Sequence, residues 1–221
     1  VVDITRKRVK KVYEKVTDMR IINERKAFSI KYRNTPNSKL LYLDETGLNL
    51  HTMMSYGYSP KNTPENVLVK PRGTNVSCMV LISNERILKY KLIDGAYKAC
   101  SFQDFMDEAV AEGIVFRNRI VLMDNVRFHK TTSVREFFNS KNIAFDFIPP
   151  YSPALNPIEE CFSVFKARYF NKRPLPQNNS DIKQYVGEVF SEMNEDIGLD
   201  MNAFYVHMRE FMELALKKKN S

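Results

Sequence analysis

Apolar residues in 4–27 recur at three- and four-residue steps (Val9, Val12, Val16, Met19, Ile22) with basic residues between them, which predicts a helix. Asn34-Thr-Pro-Asn-Ser38 breaks it. The run Leu40–Leu43 ends in Asp44 and reads as a short buried strand. Residues 57–64, Gly57-Tyr-Ser-Pro60 through Pro64, read as loop. Val76–Ser83 and Ile87–Ile93 flank Asn84-Glu-Arg86, the pattern of a β-hairpin. Ser101–Glu112 carries Phe102, Phe105, Met106, Ala109 and Val110 at helical spacing, with Ser101 as its N-cap. Ile120–Met123 is a second buried strand, again closed by an aspartate, Asp124. A helix over Thr132–Ser140 and a strand over Ile143–Ile148 follow.

Tyr151-Ser-Pro-Ala-Leu-Asn-Pro157 is a rigid turn leading into a helix over 157–170. Asn156 suits its N-cap and Pro157 its first turn. Residues 171–180, with Pro174 and Pro176, form a linker, and two amphipathic helices over 181–196 and 201–218 end the chain. Strands, a hairpin, then alternating helix and strand imply an α/β fold with a central mixed β-sheet flanked by helices. The division expected is 1–33 as a basic helical segment, 34–175 as the α/β domain, and 176–221 as a helical extension.

Of the 221 residues, 43% are hydrophobic and 27% charged, ordinary for a globular protein with a core. No apolar run approaches the roughly 18 residues of a membrane span, and no signal peptide is expected at residues 1–20. Cys78, Cys100 and Cys161 are odd in number and widely spaced, which argues against a disulfide framework and for a reducing compartment. The net charge is +8. Residues 1–33 hold 11 Lys/Arg against 4 Asp/Glu, so almost all of the excess lies there. That imbalance suggests attraction to phosphate backbones, with a solvated helix face as the plain alternative. No GxxxxGK[ST] or GxGxxG is present, so no nucleotide cofactor is expected, and serine-hydrolase spacing is missing too.

The chemistry falls on three carboxylates. Strand alternation puts Asp44 on one face with Leu40 and Tyr42, and Asp124 on one face with Ile120 and Leu122. A carboxylate ending a buried strand is costly unless a cation or donors meet it. On the helix after Pro157, Ile158, Phe162, Phe165 and Tyr169 form the buried stripe. At about 100° per residue, Glu159 lies roughly 90° from it, and Glu160 nearly opposite. Glu159 can thus reach the sheet edge, where α/β folds place their sites. Each acid also has a plain reading: Asp44 and Asp124 as turn caps, Glu159 as the third residue of a capping box. Together they form a hard oxygen set that suits two Mg²⁺ or Mn²⁺ ions and phosphodiester chemistry. His129 either contacts a phosphate, orients a ligand, or is a hydrogen-bonded structural histidine. His51 and His207 have no partner spacing.

Leu43-Asp-Glu-Thr-Gly-Leu-Asn49, Gly57-Tyr-Ser-Pro-Lys61, Val121-Leu-Met-Asp-Asn125 with His129-Lys130, and Pro149-Pro-Tyr-Ser-Pro-Ala-Leu-Asn-Pro-Ile-Glu-Glu160 resemble the mariner superfamily of DDE transposases and its bacterial insertion-sequence relatives. The resemblance runs from about Asn23 to Phe170. The 34 residues between Asp124 and Glu159 match the superfamily's spacing. It implies an RNase H-like fold, with Asp44, Asp124 and Glu159 as the catalytic, metal-holding acids. It also implies two Mg²⁺ (or Mn²⁺) ions, hydrolytic nicking of DNA at transposon ends, and transfer of the freed 3′-hydroxyl into target DNA by a homodimer. The location implied is the nucleus for a eukaryotic host and the cytoplasm for a bacterial one.

Departures are visible. The N-terminal DNA-reading helix-turn-helix domains of such transposases are not in this sequence, so residues 1–22 read as the tail or linker of that region. Ala154 replaces the usual aspartate, and Phe162 or Phe165 is expected to fill the space of a tryptophan that the chain lacks. Electrostatic DNA contact is expected from Lys7, Arg8, Lys10, Lys11 and Lys15, with Arg127, His129, Lys130 and Lys166 bordering the acids. The competing readings are a domesticated, non-catalytic DNA-binding or scaffold protein, and another RNase H-like nuclease.

Overall fold

The computed structural model describes residues 18–50, 75–126, 128–174 and 176–217. Five strands form one sheet in the order β3-β2-β1-β4-β5. They are β1 (Leu40–Leu48), β2 (Val76–Ile82), β3 (Ile87–Asp94), β4 (Ile120–Met123) and β5 (Ala144–Phe147). β1 is antiparallel to β2, and β2 to β3, whereas β4 runs parallel to both β1 and β5. The helices are α1 (Met19–Tyr32), α2 (Ala99–Ala111), α3 (Thr132–Ser140), α4 (Ile158–Asn171), α5 (Asn179–Glu195) and α6 (Met201–Lys217).

Alternation along the strands divides the core. Leu40, Tyr42, Val76, Cys78, Val80 and Leu122 meet α1, α4, α5 and α6 on one face. Leu41, Leu43, Met79, Leu81, Val121 and Met123 meet α2 and α3 on the other. α5 and α6 contribute Ile182, Val186, Phe190, Tyr205 and Met208 to the same apolar cluster as the sheet and α4. Arg209 of α6 fastens the break after α1, donating to the carbonyls of Tyr32 at 2.6 Å and Thr35 at 2.5 Å and to Asn37 Oδ1. No described helix is long and apolar enough to cross a membrane.

Several boundaries depart from the sequence expectation. β1 does not stop at Asp44 but continues to Leu48, because Asp44 pairs with Val80 and Leu48 with Val76 on β2. A helix begins at Met19, with Asp18 as N-cap accepting from the Arg20 amide at 2.8 Å. Of the helix expected over 4–27, the described part starts at Met19 and runs on to Tyr32; residues 1–17 lie outside the described residues. The buried positions of α1 are Ile21, Phe28, Ser29 and Tyr32, while Met19 is about half exposed. α2 starts two residues before Ser101, with Lys98 as its N-cap. Pro157, not Asn156, is the N-cap of α4. The expected loop at 57–64 also lies outside the described residues.

Candidate active site

β1 and β4 pair in parallel only as far as Leu43 opposite Met123. Beyond that point β4 has ended and Asp124 follows it, while β1 continues through Asp44 with β2 still beside it. A gap thus opens at the carboxyl end of β4, with Asp44 on one side and Asp124 on the other. The turn after β5 closes it from a third direction. Ile148, Pro149 and Pro150 lead to Tyr151, held in the left-handed region at φ 52°, then to a short 3-10 turn at Pro153–Leu155 and into α4. Arg25 of α1 clamps this turn, donating from Nε to Ser152 Oγ at 2.7 Å and from Nη2 to the Tyr151 carbonyl at 2.8 Å.

Asp44 is buried and fixed at both oxygens. Oδ1 accepts from the Glu45 amide at 2.8 Å, and Oδ2 from Asn156 Nδ2 at 2.8 Å. Its pKa rises to about 7, first because burial disfavours the charge, and then because Asp124, Glu45 and Glu159 add negative potential. The Glu45 amide opposes that rise. The charges of the second strand-end aspartate and of the helix glutamate are therefore both felt at Asp44.

Asp124 is half-buried, and its Oδ1 accepts from the Val126 amide at 3.3 Å and lies 3.0 Å from His129 Nδ1. The other ring nitrogen, Nε2, is 3.2 Å from Glu45 Oε1. His129 is completely buried and packs against Phe102. Burial alone would lower its pKa, but hydrogen bonds to Asp124 and Glu45 overcome this and raise it to about 9. An imidazolium donating from both nitrogens has no lone pair for a metal. Glu45, Asp124 and His129, whose ligand atoms all lie within 4.8 Å of one another, thus form a charged bridge between β1 and the end of β4.

Glu159 sits exposed in the first turn of α4, and its amide bonds to the Asn156 carbonyl at 3.1 Å. Glu160 points elsewhere, pairing with His207 of α6. Sequence reasoning placed Glu160 toward solvent and gave His207 no partner. The contact joins residues 47 positions apart, so no local spacing announces it.

Among the expected DNA-contacting residues, Lys130 is exposed, with Nζ 5.7 Å from the centre of the Phe147 ring. Lys166 lies half-buried on α4, two turns beyond Glu159. His129 faces the acids and not solvent. Lys7, Arg8, Lys10, Lys11, Lys15 and Arg127 lie outside the described residues. Sequence reasoning missed Asn156, Glu45 and Arg25 as parts of this centre. For Glu45 a signal existed, since it is polar and precedes Thr46 in a strand whose other residues are mostly apolar.

The donor set fits a divalent cation. The charges of Asp124 and Glu159 both raise the Asp44 pKa, and no described Lys or Arg is ion-paired to any of the three; the described residues whose ligand atoms converge within 4.8 Å are Glu45, Asp124 and His129. Asn125 Oδ1 and Asn156 Oδ1 beside them are buried with no hydrogen-bond partner among the described residues. Hard, anionic oxygens of this kind select Mg²⁺ or Mn²⁺ over softer ions.

The family described as DDE superfamily endonuclease matches residues 39–182. No curated protein sequence matches the chain. Among solved structures, the Mos1 transposase paired-end complex with left transposon end superposes at a TM-score of 0.72 with 17% identity, covering 98% of this chain and 66% of that one. The Mos1 mariner paired end complex with Mn gives 0.69 and 17%, with the same coverage. The catalytic domain of Mos1 mariner transposase gives 0.62 and 15%, covering 94% of this chain and 95% of that one. The chain thus spans about 66% of the transposase chains in the DNA complexes and nearly all of the isolated catalytic domain. At these identities the likeness is one of fold, an RNase H-like mixed sheet flanked by helices. With 144 consecutive residues matched, the chain belongs to the DDE superfamily endonuclease family.

Proposed function

We propose that this chain is the catalytic core of a mariner-type DDE transposase. It hydrolyses DNA phosphodiesters at transposon ends and joins the freed 3′-hydroxyl to target DNA. Asp44, Asp124 and Glu159 are the acids that hold two Mg²⁺ or Mn²⁺ ions. The observation that carries this reading is that Asp44 and Asp124 flank the gap where β4 ends, while Asn156, three residues before Glu159, donates to Asp44.

When bound, the ions supply the positive charge that activates the attacking oxygen and stabilises the leaving one. The protein's part is placement. The Glu45 amide and Asn156 fix Asp44, His129 bonds to Asp124, and Glu159 stands in the first turn of α4, three residues after Asn156. Mos1 transposase, which shares this fold, has been solved in complex with a transposon end, which supports DNA as partner. Basic residues of 1–33, with Arg127, Lys130 and Lys166, track its phosphates, and the active assembly is a homodimer. Its place is the nucleus of a eukaryotic host, or the cytoplasm of a bacterial one.

The test is conversion of supercoiled plasmid to nicked circles with Mn²⁺, with chelation by EDTA as control. Cleavage that needs the ion and disappears in Asp44→Asn, Asp124→Asn and Glu159→Gln supports the reading. Equal activity in those variants, or a strong preference for an RNA–DNA hybrid, rejects it. Metal-independent DNA binding without any cleavage would point instead to a non-catalytic scaffold that kept the fold. DNA affinity is expected to fall steeply with salt as counterions are released. A flat salt dependence would remove the phosphate-tracking role of the basic residues.

A further inference from the structure

Asn156 links the strand that carries the first acid to the helix turn that carries the third. Its side-chain Nδ2 donates to Asp44 Oδ2 at 2.8 Å, and its backbone carbonyl accepts the Glu159 amide at 3.1 Å. Because a carboxylate oxygen accepts hydrogen bonds, the amide nitrogen is the end that faces Asp44. The residue is 5% exposed, and its Oδ1 is buried without a partner among the described residues. An amide with one end left unsatisfied is costly to bury, so its retention there is best accounted for by what the other end holds.

Its seat is built to be rigid. The Asn156 amide bonds to the Pro153 carbonyl at 2.9 Å, and that of Leu155 to Ser152 at 2.9 Å. Ser152 Oγ donates to the Pro150 carbonyl at 2.9 Å and accepts from Arg25. The turn carrying Asn156 is thus anchored to α1 at one end and capped by Pro157 and α4 at the other.

We propose that Asn156 is a positioning residue that sets the separation and orientation of Asp44 relative to Glu159, and thereby the divalent-cation affinity of the centre. The inference rests on the three-acid reading above. Polar groups that orient metal-holding side chains act on the metal in this way, and their loss typically lowers affinity by about 10- to 100-fold. Asn156→Ala and Asn156→Leu both remove the donor to Asp44 while leaving the backbone carbonyl to α4 in place.

The experiment is a titration of the metal-free chain with Mn²⁺, reading free ion by electron paramagnetic resonance and following thermal unfolding of each variant. Asp44→Asn reports on the three-acid reading, and Val186→Ala, buried in α5, supplies a destabilised comparison distant in sequence from the acids. The expected result is an affinity about 10- to 100-fold weaker in both Asn156 variants, with Val186→Ala unchanged. Asn156 variants that bind like the unmodified chain, while Asp44→Asn does not, overturn the positioning role and leave the proposed function standing. An equal loss in Val186→Ala also overturns it, because affinity then follows stability alone. Unchanged binding in Asp44→Asn overturns the proposed function and this inference with it.

Discussion

The two sides of the acidic centre are built on opposite plans. On the sheet side, Asp44 is buried in a strand with both oxygens engaged, and Asp124 is tied through His129 to Glu45. On the helix side, Glu159 is exposed in a first turn, and its carboxylate has no hydrogen bond or ion pair among the described residues. A buried, fixed acid in a crowd of like charges destabilises the metal-free fold, whereas an exposed one costs little. The same chemistry therefore carries different stability consequences on the two sides.

Substitutions break that comparison most sharply. Asp44→Asn and Glu159→Gln are both expected to reduce Mn²⁺-dependent plasmid nicking by at least about 10³-fold, several kcal/mol of transition-state stabilisation. Their unfolding curves should differ. Asp44→Asn relieves buried repulsion and is expected to raise metal-free stability by about 1 kcal/mol, while Glu159→Gln stays within about 0.5 kcal/mol. Denaturant titration of the two variants checks this, and equal shifts would erase the distinction.

Removing the charged bridge has the next largest effect. His129→Ala leaves Glu45 and Asp124 unpaired across the gap and a void against Phe102. A loss of about 2–4 kcal/mol is expected in chemical denaturation. Added Mn²⁺ should recover part of that loss by replacing the missing positive charge.

A smaller effect lies at the α1–β5 contact. Asp146 accepts from Tyr32 Oη and Lys31 Nζ, each at 2.7 Å. Burial opposes ionisation of Asp146, but these partners lower its pKa overall. A carboxylate with a depressed folded pKa contributes stability above its unfolded pKa and loses it as pH falls through the folded value. Asp146→Asn should therefore be less stable than the unmodified chain near neutral pH, with the difference closing at strongly acid pH. Thermal melts across that range would show it, and a pH-independent difference would contradict the linkage.

Glu160→Gln is the smallest. The Glu160–His207 pair is substantially exposed, so the change should stay within about 0.5 kcal/mol and leave nicking intact. A large loss of nicking there, with Glu159→Gln mild, would exchange the roles of the two neighbouring glutamates.

Local pattern reached the elements more readily than their partners. Period-two and helical spacing located the hairpin β2–β3, strand β4 and helix α3 to within a residue or so, because each buries one regular face. The prolongation of β1 to Leu48 was not legible, since Glu45-Thr-Gly47 has turn chemistry and only the distant β2 overrides it. Asn156 has the chemistry of an N-cap, but a buried carboxylate 112 residues away competes for its amide, and Pro157 takes the cap position. The N-cap of α1 has a local signature, Asp18 two residues before the amide it binds. At the site, strand ends mark Asp44 and Asp124 as polar positions closing apolar runs, whereas Glu159 is exposed and not on the flank of the buried face that helix phase suggests. Arg25 and the Asn156–Asp44 bond were not legible, because both contacts join residues more than 100 positions apart.

The most direct measurement is a crystal structure of the chain soaked in Mn²⁺, with anomalous density locating the ions. The account predicts density in the gap beyond Met123, coordinated by Asp44, Asp124 and Glu159, with His129 still bonded to Asp124. Density held by Glu45, Asp124 and His129, with Glu159 outside coordinating reach, would contradict it.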